Sequence, residues 1–140
     1  MCGLPRSGKT TWIEKHKSNA IVVSNDWIRA NVLGTTYMTT ANPAIWMITD
    51  ACIRILLSQK KDVILDGVNG TQFARKFFTD LGKEYGARIR IIRITTPIEV
   101  CLQRNQKCKK LPDLVLHRMN EEMEGPSPEE TEWWKTIKGT

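Results

Sequence analysis

Nowhere in the 140 residues does an apolar run approach the roughly 20 needed to cross a bilayer. The opening stretch, Met1-Cys2-Gly3-Leu4-Pro5-Arg6, does not read as a secretory leader either. Cysteine is sparse and unpaired in its spacing: Cys2, Cys52, Cys101 and Cys108 form no C-x-x-C element. The two histidines, His16 and His117, lie far from most of them, so no zinc site is expected. Disulfides need an oxidising compartment, and nothing routes the chain to one; the thiols are expected to be reduced and the setting cytoplasmic. Repeats and low-complexity segments are lacking as well. One core fits in this length and two do not.

What is present is an ordinary apolar fraction of 41%, which excludes a disordered chain, and a net charge of +6 with a pI near 9.3. Such a charge suits an anionic partner, nucleotide or nucleic acid. By itself it chooses between neither.

Strand-like and helix-like runs alternate from end to end, which predicts an α/β fold with a parallel sheet and covering helices. Helices are expected over 8–18, 25–33, 43–59, 71–84, 97–104 and 112–124, and strands over 20–24, 62–66 and 88–94. Asn42 is placed to cap the third helix, with Pro43 at its first position. In that helix Ile45, Ile48, Cys52, Ile55 and Leu56 recur at spacings of three and four, one buried stripe. Residues 34–42 read as a polar loop, and 125–140 as a looser tail on a single domain whose core and lid occupy 1–124.

Gly3-Leu4-Pro5-Arg6-Ser7-Gly8-Lys9-Thr10 matches G-x-x-x-x-G-K-[ST], with a helical pattern directly after it. Glycines let the backbone bend so that successive N–H groups face phosphate oxygens, and the helix start adds its dipole. Lys9 supplies a positive charge for the β- and γ-phosphates, Thr10 a hydroxyl for Mg²⁺, and Thr11 a neighbouring donor. Gly3, Arg6, Ser7, Gly8, Lys9, Thr10 and Thr11 are therefore the expected ATP-binding residues. A loop of this kind is normally fed by a strand from the middle of the sheet, yet only Met1 and Cys2 precede Gly3. The expectation is a native chain that begins upstream of this numbering.

The segment Ser24-Asn25-Asp26-Trp27-Ile28-Arg29 comes at the end of the strand over 20–24, where an open parallel sheet faces its ligand crevice. Asp26 and Arg29, three apart at a helix start, share a face and offer a base beside a phosphate clamp. An N-cap role for Asp26 and a surface role for Arg29 are the alternatives. Asp66 ends an apolar strand, where a plain turn before Gly67 is also possible.

With these motifs in their order, the chain resembles the phage-type polynucleotide 5′-hydroxyl kinase family of P-loop kinases, and more loosely zeta-toxin and other small P-loop kinases. The resemblance runs from Gly3 to about Glu124 on the phosphate loop, Asn25-Asp26-x-x-Arg29, Asp66 with Asn69, and Arg104-Asn105-x-Lys107. It implies a P-loop three-layer sandwich with about four to five parallel strands, helices on both faces and a short basic lid. It further implies transfer of the γ-phosphate of ATP, with Mg²⁺, to the 5′-hydroxyl of a DNA or RNA end. Asp26 would be the general base, Arg29 the contact to acceptor or transferring phosphate, and Asp66 the acid near acceptor or metal. Asn69 and Arg75 would support that loop and its helix, and Arg104 would be the lid arginine.

Two departures stand out: Cys108 where the family has a second arginine, and Arg6 where glycine is common. Lid charge would then come from Lys107, Lys109 or Lys110, as a point charge and not a planar fork. Trp27 and Tyr37 are candidates to stack a terminal base, with core or incidental packing as the alternative. The competing readings are a kinase for a small acceptor, such as a nucleoside, a sugar nucleotide or an antibiotic, and a nucleotide-binding module without turnover.

Overall fold

The alternation of apolar β-branched runs with amphipathic ones produces strands and helices close to where the pattern puts them. The computed structural model describes residues 1–35, 42–108 and 111–139. In chain order these form α1 (Lys9–His16), β1 (Ile21–Ser24), α2 (Asn25–Asn31), α3 (Asn42–Ser58), β2 (Val63–Asp66) and α4 (Gln72–Glu84). β3 (Ile91–Thr95), α5 (Ile98–Cys108), α6 (Asp113–Glu121) and β4 (Trp134–Lys138) complete them.

All strand pairing is parallel. β1 lies on β2 with Ile21 opposite Val63 and Ser24 opposite Asp66, and β3 lies on β4 with Ile91 opposite Trp134. Met1–Gly3 runs between the two pairs. On one side Met1 N donates to Leu65 O at 3.0 Å and Gly3 N to Val68 O at 3.0 Å. On the other, Cys2 N donates to Ile92 O at 2.8 Å and Ile94 N to Cys2 O at 2.9 Å. Met1–Gly3 thus takes the central place that the phosphate loop requires, bonded through its backbone on both sides.

Two apolar clusters flank this arrangement. Val23, Ile28, Ile45, Ile53 and Leu81 are buried where α2, α3 and α4 cover β1 and β2. Leu4, Cys101 and Leu116 are buried where α5 and α6 pack on the phosphate loop. The stripe expected on α3 is partly realised: Ile45 is buried and Ile48, Cys52 and Leu56 pack on the core, whereas Ile55 is 57% exposed.

Three expectations need correction. The expected loose tail contains β4, a strand bonded along its length to β3, and buried Glu130 and Thr131 anchor the approach to it. The helix expected to stop at Arg104 continues to Cys108, because Asn105 extends the buried face of Cys101 by one turn and is only 2% exposed. The strand expected from Arg88 begins at Ile91; at the earlier Ile89, the carbonyl accepts from the Thr131 hydroxyl at 2.7 Å. The loop expected over 34–42 falls mostly on 36–41, which with Tyr37 lies outside the described residues, as do Lys109 and Lys110 of the basic stretch.

Candidate functional site

The phosphate loop folds as its residue types require. Gly3 has φ 151°, and a Cβ there would sit 2.7 Å from Ile94 O and 3.0 Å from Ser7 Oγ, so no side chain fits. Gly8 occupies the left-handed region at φ 99° and opens α1. No side chain caps α1 among the described residues, and the residues of its first turn line the cleft. Arg6 has φ 66°, a conformation that glycine adopts without strain, which gives a physical reason for glycine at this place. Its carbonyl accepts from Arg104 Nη1 at 3.0 Å. Arg104, the arginine expected in the lid, therefore sits against the phosphate loop, and the Arg6 carbonyl provides the grip.

From the other side Thr96 Oγ1 donates to Ser7 O at 2.7 Å, tying the loop to the end of β3. Ser7 Oγ is buried with no partner among the described residues. Lys9 folds back on the loop, donating from Nζ to Gly3 O at 3.0 Å and Leu4 O at 2.8 Å. Burial holds its ammonium below the usual lysine range, while Asp66 and Asp26 pull the other way. A buried cation and a helix start without a side-chain cap, both lining one hollow, fit a polyphosphate.

Across the cleft, Ser24 and not Asp26 caps α2, its hydroxyl accepting from Trp27 N at 3.3 Å. Asp26 is left free for other work in the first turn, its side chain 94% exposed. Arg29 Nη1 pairs with it at 3.0 Å, and Arg29 Nη2 donates to Asn42 Oδ1 at 3.3 Å. The base and clamp expected from the three-residue spacing do share a face.

Asp66 closes β2, half-buried; burial pushes its carboxyl above the usual carboxylate range, opposed first by Lys9. Asn69 has φ 44°, and its Nδ2 donates to Met1 O at 2.7 Å. Its carbonyl accepts from Arg75, a 4% exposed residue that supports this loop in just the way the resemblance implied.

One cleft of about 1020 Å³ gathers these groups: Arg6 through Thr11, Asp26 and Arg29, Asp66 and Asn69, and Arg104. Gly3 does not line it; it sits behind the loop. Trp27, 61% exposed, does not line it either. Three contributions escaped the sequence reading. Trp46 from α3 and Phe78 from α4 form an aromatic wall, and Ile137, Lys138 and Gly139 arrive with β4. Asn42, Trp46 and Thr49 recur at helical spacing, a polar-aromatic face on α3 that could have signalled the first of these.

For Mg²⁺ the chain offers the Thr10 hydroxyl and the Asp66 carboxylate. Among the described residues no group of three or more histidine, cysteine, aspartate or glutamate side chains could hold a metal. That donor set suits Mg²⁺, which binds through one or two protein oxygens and takes the rest from phosphates and water. Also among these residues, no helix is long and apolar enough to cross a membrane.

Residues 1–126 match the family model AAA_33, described as an AAA domain. The match ends short of β4, although β4 helps to wall the cleft. The chain belongs to this AAA_33 family, a P-loop NTPase-like kinase domain whose fold implies nucleotide binding.

Proposed function

We propose that this protein is a Mg·ATP-dependent kinase acting on the 5′-hydroxyl of a DNA or RNA end. The observation that carries the reading is the meeting, in one cleft, of a phosphate loop, a lid arginine and an exposed carboxylate–guanidinium pair. Met1–Gly3 and the four named strands make, in this reading, a five-stranded sheet between two helical layers. Four free thiols suit a reducing, cytoplasmic setting.

Lys9 and the α1 amides hold the β- and γ-phosphates. Asp26 takes the proton of the acceptor hydroxyl as its oxygen bonds to the γ-phosphorus and the bond to ADP breaks. Arg29, held by Asp26 and Asn42, is placed to orient the acceptor's own phosphate. Arg104 neutralises charge on the moving group, and Asp66 with Thr10 would hold Mg²⁺, which would supply positive charge to the phosphates. Positioning and charge neutralisation do most of the work in such transfers.

The test is transfer from labelled ATP to a 5′-hydroxyl oligonucleotide, a nucleoside panel and no acceptor, at several salt concentrations. A polynucleotide held by phosphate contacts should show an acceptor KM that climbs steeply with salt. A flat response, or transfer to nucleosides alone, would assign a small acceptor. Lys9→Ala should lower transfer by orders of magnitude, and near-normal turnover in that variant would remove the phosphate-loop assignment.

A further inference from the structure

α3 turns one continuous face toward the cleft: Asn42, which accepts from Arg29, then Trp46 one turn later, then Thr49, whose hydroxyl donates to Asn25 at 3.0 Å. Trp46 therefore stands one turn beyond the anchor of the acceptor clamp. Its ring is held by Phe78, centroids 5.1 Å apart and tilted 30°, and by Phe77, 5.3 Å away and edge-on at 65°. Phe77 and Phe78 meet in turn at 5.0 Å.

The apolar surface does not stop at the cleft. Phe77 is 41% exposed, and Phe73, one turn earlier on the same face of α4, is 82% exposed. Phe73 lies in the first turn of α4, directly after the loop of Asp66 and Asn69. Scattered exposed aromatics need no explanation, but a cleft-lining cluster continued at helical spacing by an exposed phenylalanine does.

Resting on the kinase reading above, we propose that Trp46 is the stacking platform for the terminal base of a single-stranded nucleic-acid acceptor, and that Phe73 receives the base that follows. A fixed aromatic face beside a phosphate-binding arginine is what a nucleotide end needs: ring for base, guanidinium for the phosphate on its 3′ side. Stacking accepts any base, so the platform confers preference for single strands without preference for sequence. A sugar or other acceptor lacking an aromatic ring has no use for it.

The experiment compares wild type, Trp46→Ala, Trp46→Phe and Phe73→Ala on a 5′-hydroxyl octanucleotide and a nucleoside 3′-monophosphate, with ATP affinity measured separately. Trp46→Ala should raise KM for both acceptors about tenfold or more, with ATP affinity unchanged and Trp46→Phe restoring most of the loss. Phe73→Ala should raise KM for the octanucleotide and leave the monophosphate unaffected. Without ATP, the octanucleotide should quench wild-type tryptophan fluorescence, and Trp46→Phe should abolish that component. If wild type phosphorylates the octanucleotide while Trp46→Ala keeps normal KM, the platform is wrong and the kinase reading stands. If wild type neither transfers to nor is quenched by either acceptor, both fall. An effect of Trp46 without one of Phe73 would overturn the second-base assignment and leave the rim as a face for another protein.

Discussion

Arg75 and Glu130 form a buried ion pair, Nε to Oε1 at 2.6 Å, with 4% and 3% of their side chains exposed. The same guanidinium donates to the carbonyls of Asn69, Gly70 and Glu124 at 3.0 Å and of Gly125 at 2.8 Å. One side chain thereby fastens the loop after β2 to the segment that leads into β4. Removing one member leaves the other charged and buried, so Arg75→Ala should lower unfolding stability by about 3–5 kcal/mol. Glu130→Gln keeps a carbonyl acceptor and should lose about 1–3 kcal/mol. Urea titration of both variants measures the difference.

Asp26→Asn should leave the fold and ATP affinity intact, because Ser24 and not Asp26 caps α2. The amide cannot accept the acceptor proton, and transfer should fall by about 10²–10⁴-fold. Single-turnover kinetics with nucleotide binding measured alongside checks this. An active variant would return Asp26 to the surface.

At Asp66 function and stability should oppose each other. Its folded pKa is raised by burial, so its favourable contribution is complete only below the ordinary 3.8 and is lost as pH rises through the folded value. Asp66→Asn should therefore unfold at a higher temperature than wild type at neutral pH, with the gain shrinking toward zero in acid. Transfer should drop about a hundredfold or more, through loss of an oxygen for Mg²⁺. Thermal melts across pH and a Mg²⁺ titration of the rate test the two halves separately.

Arg104→Lys keeps a charge and loses the fork that reaches Arg6 O. We expect kcat to fall about ten- to a hundredfold, with ATP affinity within about twofold of wild type. Cys108 is exposed at the end of α5, one turn from Arg104, so Cys108→Arg should leave the rate unchanged or raise it. A silent Arg104→Lys would make the basic run a surface feature.

The cleft's wall of Arg6 to Thr11 was legible because backbone geometry dictates residue type: Gly3 and Gly8 occupy places where a side chain meets neighbouring atoms or a left-handed turn is required. Asp26 and Arg29 were legible for a similar reason, helical spacing. What escaped notice is long-range or lies on an edge. β4 carries Lys135 and Lys138 and is exposed at most positions, and an edge strand shielded by lysines shows little apolar alternation. Arg75 resembles any helix arginine until Glu130, distant in sequence, is brought to it. Trp46 was hidden beside the stripe of Ile45 and Ile48, where one more large side chain looks like core.

The register of β3 on β4 sets an order of events during synthesis. Ile91 waits for Trp134 and Thr95 for Lys138, so no local turn can form this pairing. A nascent chain will have made the phosphate loop, Asp26, Asp66 and α5 before Ile137, Lys138 and Gly139 leave the ribosome. Until then β3 presents an unpaired edge beside a half-walled cleft. Nucleotide competence should accordingly wait for β4, and stalled chains lacking β4 should engage holdase chaperones before they engage ATP.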